Sequence, residues 1–412
     1  MREVEFDGSG CFVKPECFMR NVAIAGIGMT DLEVLDNAYP ADLAVQAIVA
    51  AIEDSRLEKK EIDALFGTPT GYMVDHHKFE CQRIAEYLRM PVRSTGEFDC
   101  GGTSALTALR HVALEIAAGR IDAGIVYAAH WELPPARLRV EHADWQHLIR
   151  LANAVYGSYD SRYGVLSPLQ YYAMCQQRYM FETGVTAEQV ASLPVVLRDN
   201  ASRNPRAVYR EPITVEEVLA SPMLSPPIHL LESCPMSAGG AAVVLASEER
   251  AGQVRDEVTV LTGYGEAHDD SHFMPALGDM SRFPSVERSA SEAFESAGVK
   301  PADIDVAEVY GAFAGAELMC YEELGFFGRG EAPAAVESGR TRAGGDVAIN
   351  TSGGRLSLGH PAFATALLEI FEVVTQLRGE AGERQVPDTG RGLVHAEHGM
   401  VNGSIVLIIE RS

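Results

Sequence analysis

Four short segments of this 412-residue chain hold side chains able to do chemistry. One is glycine-rich, Asn350-Thr-Ser-Gly-Gly-Arg-Leu-Ser-Leu-Gly-His-Pro361, and presents His360 behind Gly353, Gly354 and Gly359. Glycines let a backbone come close to a ligand, and an imidazole N–H beside them suits an oxygen that gains negative charge. A second segment, Tyr310-Gly-Ala-Phe313, offers a phenol. It works as a base only if its pKa falls well below the usual value of about 10. A third, Phe98-Asp-Cys-Gly-Gly-Thr-Ser104, puts the Cys100 thiol just ahead of a helix-forming run. A thiolate brought to a helix N-terminus is stabilised by the helix dipole. The fourth, His395-Ala-Glu-His398-Gly-Met-Val-Asn-Gly403, adds imidazoles.

Other arrangements read as structure. His76-His77 are adjacent, and neighbouring side chains diverge on regular elements, so a solvated loop is favoured over a metal pair. His130, His142 and His147 fit packing better than catalysis. Ala25-Gly-Ile-Gly28 echoes a dinucleotide loop, but Asp31 stands where the third glycine belongs, which discounts nicotinamide binding. Cys234 and Cys320 read as structural thiols. The run Tyr156, Tyr159, Tyr163, Tyr171, Tyr172 fits a substrate entrance or ordinary packing equally well.

These segments need a scaffold, and its elements are legible. Asn21–Gly28 is an apolar strand, followed by a helix over 41–53 with Leu43, Ala47, Ile48 and Ala51 at helical spacing. Strands at 62–66, 94–99 and 123–129 alternate with helices at 79–89 and 104–118, the pattern of a parallel sheet covered by helices. From about 130 to 230 the rhythm breaks into an inserted helical lobe, and strands resume at 240–246 and 258–265. Glu53–Phe66 aligns without a gap on Glu295–Glu308 at an offset of 242, and Gly240–Ala246 resembles Gly403–Ile409. Matches in the same order predict a duplicated α/β unit. The expected organisation is an extension at 1–19, a first half at 20–270 containing the lobe, and a second half at 271–412.

Composition sets limits. With 47% hydrophobic and 22% charged residues the chain can bury a large core. A net charge of -24 argues against nucleic-acid binding. The seven cysteines form no CxxC, against a zinc ribbon within this chain, and their scatter suits a reducing cytoplasm. Neither a secretory leader nor a membrane-spanning run is visible, so a cytoplasmic protein without membrane attachment is expected.

Together Val22–Thr30, Arg198–Pro205, Pro212–Leu219, Asn350–Pro361 and Gln376–Gly379 resemble the thiolase superfamily, nearest to sterol-carrier-protein-X-type thiolases and the thiolase-like aldolases. The resemblance covers residues from about 20 to the C-terminus. It implies an α/β, five-layer αβαβα fold, a homodimer with Ser104–Ala118 as a candidate interface, and a coenzyme A thioester as substrate with no permanently bound cofactor or metal. It also implies a small zinc-ribbon/OB-fold partner protein. Three departures matter. Counting back from Gly119, the nucleophilic cysteine of thiolases falls on Gly102, with Cys100 two residues upstream. Tyr310 replaces the usual Asn or His of its loop, as in steroid side-chain aldolases, and Gly311 replaces an acid. The loop before the second half reads Ala238-Gly-Gly-Ala241 in place of Asp-Gly-Ala. His360 matches, and His398 stands near the second acid/base position. Gly102, Asn350, Gly353, Gly354, Gly359 and Phe313 are implied to line the substrate.

Carbon–carbon chemistry beside a thioester passes through an enolate and needs an oxyanion donor plus an acid/base. His360 and Tyr310 meet those two needs, which suffice for retro-aldol cleavage of a β-hydroxyacyl-CoA. A thiolase must also hold an acyl group on a thiolate. The expected activity is therefore a C–C lyase, with two alternatives open: an acetyl-CoA acyltransferase using Cys100 on a β-ketoacyl-CoA, and a non-catalytic acyl-CoA or lipid carrier or scaffold subunit.

Overall fold

Strand runs and amphipathic helices alternate as the spacing predicts, and the computed structural model shows how they are wired. It describes residues 20–32, 40–69, 80–130, 165, 167–269, 279–399 and 402–412. The extension at 1–19, His76-His77, His142, His147, Tyr156, Tyr159 and Tyr163 lie outside them.

The first half runs β1 (Val22–Met29), α1 (Pro40–Ser55), β2 (Ala64–Gly67), α2 (Glu80–Leu88), β3 (Ser94–Glu97), α3 (Ser104–Ala117) and β4 (Ala123–His130). An excursion follows: α4 (Pro168–Thr183), α5 (Ala187–Ser202), α6 (Val215–Ala220) and a small hairpin of β5 (Met223–Ser225) and β6 (Ile228–His229). Then come β7 (Gly239–Ser247) and α7 (Glu248–Gly252). The second half holds β8 (Thr259–His268), α8 (Pro284–Ala297), β9 (Val306–Val309), α9 (Ala314–Glu323), α10 (Ala332–Glu337), β10 (Ala348–Ile349), α11 (Gly354–Ser357), α12 (Thr365–Leu377), β11 (Arg391–Glu397) and β12 (Gly403–Arg411).

Strand order is β10-β9-β11-β12-β8-β1-β7-β4-β2-β3. Read outward from the β1–β8 seam, both halves have the same wiring: an antiparallel pair, a second antiparallel step, then two parallel steps. The offset of 242 superposes β2 on β9, as the sequence repeat predicts. By topology the second unit opens with β8 at Thr259, whereas the boundary expected near 270 falls just after that strand. His130, expected in the lobe, is the last residue of β4 and is buried beside Phe363.

Three cores give five layers. Leu43, Ile48, Ile52 and Ile84 of α1 and α2 cover Leu65, Ile125 and Val244 on one face of the first half. The opposite face meets α3 and α12, whose Leu106, Leu109, Ile116, Leu367 and Ile370 also receive Val394, Ile405 and Leu407 of the second half. On the far face, Leu393, Val406 and Ile408 pack under α8 and α9. Each fully buried Leu or Ile contributes about 1.5–3 kcal/mol. Between two sheets a helix has no solvent side, which is why α12 is buried almost all round, its Glu369 and Glu372 included.

The pair Gly26 and Gly28 has a packing role. A Cβ on Gly28 would lie 2.3 Å from the Ala47 carbonyl oxygen of α1. Gly265 stands in the same relation to Ser289 of α8. The glycines let a helix sit directly on its strand, in both halves.

Candidate active site

Tyr310 follows β9, and its N–H donates to the His395 carbonyl of β11 at 3.1 Å. The turn is locked by Asn350, whose Oδ1 accepts from the Val309 N–H at 2.7 Å and whose Nδ2 donates to the Val309 carbonyl at 3.0 Å and to Glu317 at 2.6 Å. Residues 233–236 stitch the next loop to it. The Cys234 N–H donates to the Ala312 carbonyl at 2.9 Å, Ser233 bridges Phe313, and Met236 bridges His360. The result brings the Tyr310 hydroxyl to 3.0 Å from His360 Nε2. The phenol is almost wholly buried, and burial first, then Cys234 and Glu369, holds its pKa well above the ordinary tyrosine value. This is opposite to the lowered pKa expected for a resting base: burial makes Tyr310 a neutral hydrogen-bonding acid at rest, fifty residues away in sequence from the imidazole it meets.

Cys100 is placed differently. The first helical residue is Ser104, and its hydroxyl accepts from the Cys100 N–H at 2.7 Å and donates to the Gly101 carbonyl at 2.6 Å. Cys100 thus sits in a turn ahead of α3. The residue is exposed, and the desolvation its thiol does have, then Asp99 and Glu266, pushes the thiol up, against a hydrogen bond from Thr107. Gly102 donates its N–H to the His398 carbonyl at 3.0 Å. A Cβ on Gly102 would lie 2.3 Å from the Glu397 carbonyl oxygen, so this turn and the β11–β12 loop fit back to back. The His398 ring lies against Gly403 and 5.2 Å from the His268 ring, and burial first, then His268, lowers its pKa to about 4.

The remaining expected residues divide. Phe313 caps α9 and packs 4.9 Å from the Tyr172 ring. Gly353, at φ 103°, faces Ala201 of α5, with a Cβ position 2.6 Å from the alanine methyl, and Gly354 faces Asn350 and Leu197. Gly359, at φ 129°, approaches Ser237. These glycines and Asn350 shape the loop from behind. Tyr171 and Tyr172 are buried, and Cys320 is core as expected, while Cys234 is half-buried.

The contacts of three groups could not be read from the sequence. Tyr172 of α4 donates its hydroxyl to the buried Glu397 carboxylate, next to His398. His395 is fully buried, with its pKa lowered to about 3 by burial. Arg355 and Glu369 face each other inside the protein behind the glycine-rich loop. Among the described residues no group of three metal-binding side chains gathers, and no helix is long and apolar enough to cross a membrane.

Residues 265–411 match the family model described as thiolase C-terminal domain-like. An acetyl-CoA acetyltransferase of Methanothermobacter thermautotrophicus is 33% identical over 95% of this chain and 100% of its own length. A steroid side-chain-cleaving aldolase of Thermomonospora curvata is 30% identical over 94% of this chain and 98% of its own. Among solved structures, the Ltp2–ChsH2(DUF35) aldolase superposes with a TM-score of 0.80 at 27% identity, covering 95% of this chain and 98% of that one. Its duplicated five-layer wiring, the Gly-His-Pro loop beside β9 and these full-length likenesses agree: the chain belongs to the thiolase superfamily.

Proposed function

We propose that this thiolase-superfamily enzyme cleaves, or in reverse forms, a carbon–carbon bond in a β-hydroxyacyl-CoA by a retro-aldol route without an acyl-enzyme. The observation that carries the reading is the 3.0 Å contact between the Tyr310 hydroxyl and His360 Nε2. A phenol and an imidazole converge there, so a substrate bound across them has one partner for its β-oxygen and another for its thioester oxygen. In cleavage the phenolate of Tyr310 takes the β-hydroxyl proton, the Cα–Cβ bond breaks to a carbonyl and a thioester enolate, and an imidazole N–H of His360 stabilises the enolate oxygen. The proton that Tyr310 has taken is then delivered to Cα of the enolate, which releases the shortened acyl-CoA and restores the phenolate. In condensation, the neutral phenol donates its proton to the forming alkoxide, the role its burial favours.

Two findings support this reading over acyl transfer. Cys100 lies ahead of the α3 N-terminus, and its thiol is held protonated. Thiolase chemistry requires a thiolate aimed at the acyl carbon. The relatives named above include both an acetyltransferase and an aldolase, so reaction type has to come from the site. The small partner protein and a homodimer belong to the same proposal, the former supported by the two-component name of the Ltp2–ChsH2(DUF35) aldolase. The deciding experiment incubates purified protein, alone and with a candidate partner, with a β-hydroxyacyl-CoA, and separately with a β-ketoacyl-CoA plus free coenzyme A. A carbonyl product and a shortened acyl-CoA from the first, with unmodified protein by intact mass, is expected. An acyl adduct on Cys100 establishes acyl transfer instead, and binding without turnover in every arm establishes a carrier.

A further inference from the structure

Glu317 has no part in the chemistry just described, and packing alone does not explain it. It lies in the first turn of α9 with no exposed surface. Its Oε1 accepts from the Tyr321 hydroxyl and from Asn350 Nδ2 at 2.6 Å, while among the described residues Oε2 has no hydrogen-bond partner. That second oxygen occupies the space beside Gly311, where an added Cβ would lie 2.3 Å from Glu317 Oε2 and 2.3 Å from its Cβ. A buried carboxyl with an oxygen left over costs stability, and an apolar side chain would fill the same place without that cost. A polar group kept unsatisfied in a native core calls for an explanation.

Its position supplies one. Tyr310 stands between Val309 and Gly311, and Glu317 reaches both. On the Val309 side the link is Asn350, whose side chain accepts from the Val309 N–H at 2.7 Å and donates to the Val309 carbonyl at 3.0 Å. On the Gly311 side the contact is direct. Asn350 is itself in the left-handed region, at φ 51°, a conformation that persists in a non-glycine residue where its surroundings impose it. Asn200 Nδ2 donates to the Asn350 carbonyl at 3.0 Å, so the main chain and the side chain of Asn350 are each gripped, the one by Asn200 and the other by Glu317. Asn350 also opens the glycine-rich segment that carries His360. One carboxyl therefore ties the strand end bearing the phenol to the loop bearing the imidazole.

We propose that Glu317 is a positioning residue: by holding Asn350 and filling the space over Gly311 it fixes the backbone on both sides of Tyr310 and so keeps the phenol within reach of His360. The assignment rests on Tyr310 and His360 acting together in the proposed reaction, and it names what sets their 3.0 Å approach. Small displacements matter there, since about 1 Å of misplacement can cost on the order of a hundredfold in rate. The grip needs an acceptor of this length and not a charge. Burial holds the Glu317 pKa up at about 8, so the neutral acid is the form present at neutral pH, and glutamine copies it closely.

The test separates position from stability. Protein labelled with 15N-histidine is compared as the native chain, Glu317→Gln, Glu317→Met and Tyr321→Phe, with Tyr310→Phe as the reference for a broken contact. The His360 Nε2 resonance reports whether the phenol still meets the imidazole, and kcat and KM on a β-hydroxyacyl-CoA are measured on the same samples, well below their melting temperatures. In Glu317→Met the resonance should move toward its Tyr310→Phe position, and kcat should fall about tenfold or more with KM unchanged. Glu317→Gln should restore both. Tyr321→Phe removes one of the two bonds to Oε1 and leaves a ring of the same shape, so it should move both readouts in the same direction by less, and the test stands on it if Glu317→Met does not fold. A native resonance and native kcat in Glu317→Met, or in Tyr321→Phe where only that variant folds, would make Glu317 a packing residue and overturn the proposal. A Glu317→Gln protein as impaired as Glu317→Met would overturn it too. A displaced resonance in variants of a protein that cleaves no β-hydroxyacyl-CoA refutes the lyase reading and leaves the positioning role standing.

Discussion

Replacing Tyr310 by Phe removes one oxygen and leaves a ring that fits the same buried space. The structural loss is one hydrogen bond, to His360 Nε2 at 3.0 Å. Such a bond is worth about 0.5–1.5 kcal/mol net, so the variant should fold with nearly native thermal stability. The catalytic loss is of another size. A positioned acid/base contributes about 10²–10⁴-fold, which corresponds to roughly 2.7–5.5 kcal/mol of barrier. The coenzyme A portion of the substrate is untouched by the change, so KM should hold while kcat falls. The assay follows carbonyl release from a β-hydroxyacyl-CoA, with circular dichroism melting on the same samples. His360→Ala provides a companion, since removing an oxyanion donor costs about 10²–10³-fold in kcat. The two side chains touch each other and serve one bond-breaking step, so their losses should be less than additive when combined. A Tyr310→Phe protein that melts normally and turns over at the native rate would refute the argument, because the phenol would then be packing and nothing more.

Native cleavage should accelerate as pH rises from 6 to 9, because the phenolate of a tyrosine held above its ordinary pKa grows about tenfold per unit below that pKa; a flat kcat profile would count against Tyr310 as base. Cys100→Ala should keep turnover of a β-hydroxyacyl-CoA near native, and a loss of two orders of magnitude would restore the thiol as nucleophile. Asn350→Ala should destabilise by several kcal/mol in chemical denaturation, since it strips three hydrogen bonds from a fully buried turn and each orphaned group costs about 1–3 kcal/mol. Stability should have a maximum near pH 6 to 7 in melting curves. Glu317, whose folded pKa is raised to about 8, contributes stability that is lost as pH rises from the unfolded value through 8, and Glu317→Gln should flatten that limb. His395 and His398, lowered to about 3 and about 4, contribute stability lost as pH falls below the unfolded histidine value.

The duplicated wiring was readable because it repeats: Glu53–Phe66 and Glu295–Glu308 carry the same helix-end, turn and strand pattern, and the spacing survives without a gap. Strand and helix positions followed from apolar period, as in Leu43, Ala47, Ile48 and Ala51. His360 stood out because glycines surround it. What stayed hidden depends on contacts between distant segments. Tyr172 and Glu397 are 225 residues apart, and neither has a local pattern that announces a partner. Arg355 lay inside a loop whose glycines drew the attention, and Glu369 sits on a helix whose apolar neighbours predict only core. The glycines of Val22–Met29 looked like a ligand loop because helix approach and phosphate approach demand the same missing Cβ.

The duplication also bears on why the phenol and imidazole of the proposed reaction come from one half. Matched through strand register, Gly124 of β4 corresponds to Gly392 of β11, and each meets a valine of its central helix, Val112 of α3 or Val373 of α12. Carrying that register forward pairs His130 with His398, and the offset of 242 pairs Thr68 with Tyr310. Aligning the two valines pairs the turn of Cys100 with the loop of His360, so both central helices begin in a loop bearing a candidate catalytic side chain. A symmetric scaffold thus offers two equivalent strand ends and two equivalent helix starts. The reaction has no such symmetry, because the thioester side of the breaking bond takes negative charge and the hydroxyl side gives up a proton. In the first half the tyrosine's counterpart is Thr68, fully buried, and the histidine loop's counterpart is a thiol turn closed by Ser104. In the proposed reaction the phenol and the imidazole both come from the second half, where they meet at 3.0 Å.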